Sequence, residues 1–184
     1  MSSDRLRMYL FSSMLAAVTA IFAQIEIPLP LVPISGQTLA VGIAATILGS
    51  RYGAFSMVIY MMLGVIGLPV FAGFAGGAHI VAGPTGGYIV GFIAAAFFTG
   101  LFLEKTAFTY KMAIIANLIG MLVTLTFGTI WLKILLDLSW PAALAAGVTP
   151  FLAVGVIKAL LAAWIGIAVR ERLKSSQMSF GKAA

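Results

Sequence analysis

The chain consists of long apolar stretches separated by short segments that hold most of its prolines and charged residues. Four stretches have roughly the 17–25 residues of a helix that crosses a bilayer, namely 8–25, 86–103, 111–132 and 149–169. The stretches 38–50 and 54–66 are shorter, so tilting, local thinning of the bilayer or an adjoining re-entrant segment would help them across. The pattern predicts an all-α membrane protein with six transmembrane helices in a single domain, residues 1–184.

Two segments between these stretches cannot continue a regular helix. In the connector 25–38, prolines stand at positions 28, 30 and 33, and proline removes a backbone donor and clashes with the preceding turn. The segment 67–91 is broken by many glycines. Irregular backbone at membrane depth is tolerated only where protein buries it or where it lines a cavity. A broken segment between spans therefore indicates a binding site, the alternative being a long loop outside the bilayer.

The basic residues favour one orientation in the membrane. Six spans place both termini on the same side, and all Lys and Arg residues except Lys133 and Lys158 fall at that side: Arg5, Arg7, Arg51, Lys105, Lys111, Arg170, Arg172, Lys174 and Lys182. Such an excess marks the cytoplasmic side of an inner-membrane protein. The irregular connectors then lie on the outer side. The first apolar stretch is too long for a cleavable signal peptide, and further spans follow it.

Composition supports the membrane assignment and narrows the functional classes. The mean hydropathy is +1.13, with 62% hydrophobic and 9% charged residues. A net charge of +6 would suit nucleic acid, but these charges lie at span ends, so no nucleic-acid partner is expected. There is no cysteine, no paired intramembrane carboxylate, no Ser/His/Asp set and no Walker A motif. We therefore expect a protein without enzymatic activity or cofactor, and any ATP-driven step requires a separate subunit.

Lys158 is a cation deep within the sixth predicted span. It lies about nine residues below the outer start of that helix, or roughly 13 Å at ~1.5 Å per residue. A charge at mid-membrane costs at least ~2.5 kcal/mol, so it normally faces a cavity or a partner. A ligand contact, for example with a carboxylate, is one interpretation. The alternatives are snorkelling towards an interface, or pairing with Glu26 or Asp137.

Other polar residues near the irregular connectors are candidates for ligand contact. Gln37 and Thr38 begin the second span and could bind a polar head group, or Ser35 could simply cap that helix. Thr85 and Tyr88 lie where the glycine-rich segment enters the fourth span, and Tyr88 suits either an interfacial belt or a pocket wall.

Two further polar residues are assigned no ligand. Asn117 lies in the inner half of the fifth span, far from these features, and is interpreted as an interhelical hydrogen-bonding residue. His79 has no second ligating residue nearby, so no metal site is expected.

The first span carries a stripe of small residues, Ser13, Ala16, Ala17 and Ala20. Within it, Ala16 and Ala20 form a small-xxx-small pair that allows another helix to approach closely. The pair fits either internal packing or an interface with a partner protein.

Four segments together resemble the BioY family, the biotin-specific substrate-binding (S) components of energy-coupling factor (ECF) transporters. They are LPLVPISGQTLAV (29–41), YMMLGVIGLPVFAG (60–73), GPTGGYIVGF (83–92) and PFLAVGVIKALLAAW (150–164). The resemblance covers nearly the whole chain. It implies a six-helix bacterial membrane protein that captures biotin from outside. It also implies partners, namely a transmembrane T component and a pair of ABC-type ATPases.

The resemblance also implies positions. The ligand-binding candidates are Gln37, Thr38, Tyr60, Gly73, Gly83, Thr85, Gly86, Tyr88 and Lys158. The T-component contact of the family maps onto Ala16 and Ala20. One position departs from the family: its last motif often places an aspartate three residues before the lysine, where this chain has Gly155. Another group must then accept the ureido N–H of biotin, with Gln37, Thr85, Tyr88 or a backbone carbonyl as candidates.

The predicted pocket needs an apolar slot for the valerate chain and the sulfur-containing ring, which we expect from the third, fourth and sixth spans. The two outer connectors are candidates for a gate over it. The alternatives are an S component for a different vitamin, or a structural membrane subunit that assembles through its first helix.

Overall fold

The computed structural model describes residues 3–175, so Lys182 lies outside the described residues. Six long helices form the bundle, with two short ones at one end. The helices are α1 (Ser3–Ala23), α2 (Gln37–Leu48), α3 (Ser50–Val65), α4 (Ala78–Ala82), α5 (Gly86–Lys105), α6 (Tyr110–Leu135), α7 (Trp140–Gly147) and α8 (Thr149–Ser175). The predicted all-α class is confirmed, and the six long helices are consistent with the predicted count of six spans. We call the end that holds α4 and α7 the outer end, and the opposite end the inner end.

Four helical segments are long and apolar enough to cross a membrane: Asp4–Ala23, Gly86–Lys105, Tyr110–Leu135 and the continuous stretch Trp140–Ser175. The helices α2 and α3 are shorter than these segments, and α2 is also enclosed by protein. Ten of the twelve residues of α2 are buried inside the protein. Because α2 is enclosed by α1, α3, α5, α6 and α8, its length is not set by contact with lipid.

The proline-rich connector forms a small hairpin at the outer end. Strands β1 (Glu26–Ile27) and β2 (Ile34–Ser35) pair antiparallel, with Glu26 opposite Ser35 and Ile27 opposite Ile34. The prolines occupy the loop between these strands and so interrupt neither of them. The hairpin turns the chain directly back into α2, and this places residues 32–35 above the helix bundle.

The glycine-rich segment folds as a short 3-10 turn, Ala72–Phe74, followed by α4. Gly73 adopts φ +67° and Gly77 φ +106°, which glycine does without the strain that a Cβ would cause. Phe71, before the turn, points into the bundle and is 1% exposed. Its ring occupies the space that a side chain at Gly64 would need. Because Gly64 has no side chain, the ring of Phe71 can pack against α3 and hold the glycine-rich segment in place.

At the inner end, charged side chains join the helix ends. Glu104 of α5 accepts hydrogen bonds from the backbone N and the Oγ of Ser50, both at 2.7 Å, at the start of α3. Arg170 of α8 donates to the carbonyl of Ile47 and lies over the ring of Phe108. The starts of α1, α3 and α6 and the ends of α2, α5 and α8 meet at this inner end, where the sequence pattern predicts the basic residues.

Candidate ligand-binding site

A cavity of about 220 Å³ extends from the outer end of the bundle past its middle, where Thr99 and Asn117 line it. Its walls come from α2, α5, α6 and α8, and both outer connectors contribute to its cover. Most of its surface is apolar, from residues such as Val41, Ile89, Phe92, Leu125 and Phe151. The expected position beneath the hairpin and the glycine-rich segment is therefore observed. The expectation that the third span supplies a wall is wrong, because α2 takes the central place and α3 packs outside it.

Lys158 lines this cavity and supplies its positive charge. Its Nζ donates to the carbonyl of Ser35 at 2.6 Å and to Thr38 Oγ1 at 3.3 Å. These contacts join α8 to the hairpin and to the first turn of α2. An ammonium has three donors, so one remains for a ligand. Of the predicted alternatives, pairing with Glu26 or Asp137 does not occur in this structure; the head group instead turns outward to the hairpin.

Gln37 lines the cavity as part of a relay of hydrogen bonds between the two outer connectors. Ser35 Oγ donates to Gln37 Oε1 at 2.5 Å, and Gln37 Nε2 donates to the Tyr60 hydroxyl at 2.5 Å. Tyr60 in turn donates to the carbonyl of Val70 at 2.9 Å. Ser35 therefore does not cap α2; the residue before that helix is Gly36, without a side-chain cap. The relay links hairpin, α2, α3 and the glycine-rich segment.

Tyr88 is a wall of the cavity rather than an interfacial aromatic residue. It is 6% exposed, and its hydroxyl donates to the carbonyl of Gly147 at 2.8 Å. Its ring occupies the space that a side chain at Gly128 would fill, so α5 and α6 approach closely around it. Thr85, one turn earlier, also lines the cavity. The hydroxyl hydrogen of Tyr88 is used by the carbonyl of Gly147 at the end of α7, so Tyr88 can offer a ligand its ring and, at the oxygen, only an acceptor.

Four of the motif residues expected to bind ligand do not line the cavity. Tyr60 lies behind Gln37, and Gly73 faces Glu26. The carbonyl of Gly83 accepts from the indole of Trp131 at 2.9 Å, and Gly86 packs against the backbone of Val81. The structure therefore does not support the predicted direct ligand contact of Tyr60, Gly73, Gly83 and Gly86. Their positions shape the segments that cover the site.

Sequence reasoning misplaced one residue of the fifth span, Asn117, and missed a second, Met121. Asn117 lies within the cavity lining, not far from it, although its predicted interhelical hydrogen bond is present: Nδ2 donates to Thr46 Oγ1 at 3.0 Å. Met121, one turn further along α6, stands where a side chain at residue 155 would project. Gly155 thus leaves room for Met121. The 3.6-residue spacing of positions 117, 121, 124 and 125 was the available signal that one face of α6 borders the site.

The small-residue pair on α1 divides between two environments. Ala16 is fully buried in the protein's own core, so its side chain has no surface for a partner to touch. For Ala16 the internal-packing alternative fits, and the predicted partner contact does not. Ala20 is half-buried against the same core. Ser13 and Ala17 are exposed on α1.

A six-helix membrane bundle around an apolar cavity with a cationic outer end defines a multi-pass membrane protein that binds a small molecule. The chain belongs to the BioY family, whose sequence model matches residues 1–175. This is a family of transporter S components, not of enzymes, and it has no cofactor.

Named relatives and a solved structure agree with this assignment. The "Biotin transporter BioY2" of Lactococcus lactis subsp. cremoris is 38% identical over 90% of this chain and 91% of that protein. The "Biotin transporter BioY" of Thermotoga maritima is 35% identical, over 90% and 97% respectively. A crystal structure described as the S-component for biotin from an ECF-type ABC transporter superposes with a TM-score of 0.84. It is 29% identical and matches 93% of this chain and 94% of that one.

Proposed function

We propose that this protein captures biotin at the outer face of the cytoplasmic membrane and delivers it as the S component of an ECF-type ABC transporter. The observation that carries the proposal is the cavity: an apolar slot that meets Lys158 near its outer end. The cavity volume is just below the ~300–1,000 Å³ usual for ligand pockets, which favours a compact ligand. The names of the similar proteins support biotin as that ligand.

The chemistry of biotin suits the polarity of the cavity. Its valerate chain and sulfur-containing ring are apolar and match walls such as Phe92 and Leu125. The remaining donor of Lys158 can meet either the carboxylate or the ureido oxygen, both of which are acceptors. Thr38, which also lines the cavity, adds a hydroxyl beside Lys158. Uptake then consists of binding and release, without a chemical step on the ligand.

Energy for uptake comes from partner subunits in this proposal. The sequence has no Walker A motif, so the partners are a transmembrane T component and a pair of ABC-type ATPases. The basic inner end supports an orientation with both termini in the cytoplasm of a bacterial cell. Ala20 remains a candidate for helix contact with the T component, since it is less buried than Ala16.

The direct test is isothermal titration of biotin into detergent-purified, biotin-depleted protein, with Lys158→Ala alongside. Losing a charged hydrogen bond of ~1.5–3 kcal/mol should weaken binding about tenfold to hundredfold. Lys133→Ala is the matched control, because Lys133 is a cation at the outer end that stacks on Trp140, 5.2 Å from the ring centroid, and does not line the cavity. It should bind biotin like the parent.

Two outcomes would contradict parts of this proposal. If folded parent protein fails to bind biotin, the ligand is wrong, and titrating other vitamins separates a related S component from a subunit that binds nothing. If the parent and Lys158→Ala bind equally, biotin is the ligand but Lys158 is not a contact.

We also propose that the two outer connectors act together as a gate. Gln24, directly before the proline-rich connector, ties the start of that connector to the glycine-rich segment: its Nε2 donates to the carbonyl of Phe71 at 3.1 Å, and its Oε1 accepts from the N–H of Phe74 at 2.8 Å. The chain has no cysteine, so Gln24→Cys with Phe74→Cys can be joined by a short thiol-specific cross-linker. Cross-linking loaded protein should stop biotin exchange, while each single variant exchanges freely. Unchanged exchange after complete cross-linking would rule the gate out.

A further inference from the structure

The inner part of the cavity holds an amide whose orientation is chemically determined. Asn117 is 5% exposed and lines the cavity. Its Nδ2 donates to the carbonyl of Ala113 at 2.8 Å and to Thr46 Oγ1 at 3.0 Å. Thr46 spends its own hydroxyl hydrogen on the carbonyl of Gly42 at 2.8 Å, so at this contact it can only accept. Both hydrogens of the amide are therefore used, and the reverse orientation would set Oδ1 against a carbonyl oxygen.

The oxygen of this amide is left as an acceptor at the cavity. Within residues 3–175, Asn117 Oδ1 accepts no hydrogen bond, and it lies against Gly42 of α2. A side chain at Gly42 would occupy the same space, so the glycine gives Oδ1 its place. Gly42 itself borders the cavity. Because Asn117 lines the cavity, an N–H of a ligand that enters it can pair with this oxygen.

The distance between this acceptor and Lys158 can be read along α2. Lys158 contacts Thr38 and Asn117 contacts Gly42, four residues further along the same helix. At ~1.5 Å per residue, the acceptor lies about 6 Å deeper than the ammonium. The cavity thus offers a donor near its outer end and an acceptor at its inner end, with apolar walls around them. Among the described lining residues there is no carboxylate to act as acceptor.

We infer that Asn117 Oδ1 accepts a ureido N–H of biotin and is a specificity-determining residue of this protein. The inference rests on the proposed function and deepens it. The place at residue 155, where the related motif carries an acidic acceptor, holds no side chain here and is filled by Met121. Asn117 lies one helical turn deeper than Met121 on the same face of α6, so it replaces that acceptor from a different helix. A ligand of similar shape without an N–H donor would leave Oδ1 unpaired and bind more weakly.

The experiment is a binding cycle with variants and ligands. Biotin and its two mono-N-methylated ureido derivatives are titrated into the biotin-depleted parent, Asn117→Leu and Asn117→Asp. Asn117→Leu keeps the approximate volume and removes the acceptor, so biotin should bind at least about tenfold more weakly. Asn117→Asp in its neutral carboxylic-acid form can donate to the carbonyl of Ala113 and keep one oxygen as acceptor, so it should bind biotin more tightly than Asn117→Leu. One methylated derivative should bind the parent much more weakly than biotin does. In Asn117→Leu the difference in affinity between biotin and this derivative should be much smaller.

Thr46→Val is the matched structural control. It removes a partner of Nδ2 while leaving Oδ1 in place, and Thr46 does not line the cavity. It should lower the thermal midpoint with a smaller effect on affinity than Asn117→Leu. If Asn117→Leu does not elute as a folded species, Asn117→Ala also removes the acceptor and supplies the comparison.

The outcomes separate the two proposals. A parent that does not bind biotin overturns the proposed function, and the acceptor role falls with it. A parent that binds, with Asn117→Leu binding equally, overturns the acceptor role alone. Equal losses in Thr46→Val and Asn117→Leu would mean that Asn117 acts by packing, and this also overturns it. If N-methylation weakens binding to Asn117→Leu as much as it weakens binding to the parent, the ureido N–H pairs with another acceptor, and the role of Asn117 is overturned.

Discussion

At the inner end of the bundle, polar side chains tie one long helix directly to another, whereas at the outer end they tie irregular backbone to helices. Glu104 joins α5 to α3, and Arg170 joins α8 to the end of α2. At the outer end, Gln24 and Lys158 each reach a carbonyl of a connector instead. Side-chain hydrogen bonds therefore fix helix against helix at the inner end. At the outer end they hold connectors that can separate from the helices.

The glycines show the same difference. Gly100 of α5 crosses the turn between α2 and α3 so closely that a Cβ would strike the backbone of Gly49 and Ser50. Gly64 of α3 faces the ring of Phe71, a side chain that borders the cavity and has space there to shift into. Backbone held in a turn between two helices cannot yield in this way. The inner end should therefore tolerate substitution less well, while the outer end should transmit it to the ligand site.

The largest effect on stability is expected at the inner end. Gly100→Ala forces α5 away from the backbone of the α2–α3 turn, and overpacking of this kind costs about 1–3 kcal/mol of unfolding free energy, here at the upper limit. Thermal unfolding in detergent measures the loss. The folded fraction should bind biotin with close to parental affinity, because Gly49, Ser50 and Gly100 do not line the cavity themselves. Weakened binding by folded Gly100→Ala would show that the two ends are coupled.

A smaller loss of stability with a larger effect on binding is expected at the outer end. Gly64→Ala displaces the ring of Phe71, which lines the cavity and packs edge-on against Tyr60 with centroids 5.6 Å apart. We expect about 1 kcal/mol of destabilisation, the lower part of the range for overpacking. Faster dissociation of biotin should accompany it, measured by exchange of labelled ligand. The comparison would be reversed if Gly64→Ala exchanged biotin at the parental rate and lost more stability than Gly100→Ala.

The positions of the spans followed from local properties. Hydrophobic length predicted 86–103 and 111–132, and the helices α5 and α6 cover these ranges with extensions of a few residues. The proline-rich and glycine-rich connectors were identified because proline and glycine act on their own backbone. The gathering of basic residues at one end follows from the span count. None of these features depends on which helices are neighbours.

Which side of each helix points into the bundle could not be predicted in the same way. In a membrane bundle the helices are apolar on nearly all sides, so no polar stripe distinguishes the lipid-facing surface from the interior. For this reason Ala16 was a plausible partner contact until the structure placed it in the core, and Asn117 was placed away from the site that it borders. For the same reason the sequence did not show that α2, and not α3, forms a wall of the cavity.

The amino-acid sequence by itself determined the class of this protein: six spans, irregular outer connectors, a basic inner end and a buried lysine in the last helix. It did so because length, composition and backbone-breaking residues act locally. Only the tertiary structure decided which polar atoms remain available to a ligand. That Asn117 presents its oxygen depends on Ala113, Thr46 and Gly42 together, and two of these lie on another helix. Such an acceptor exists only after the helices have packed.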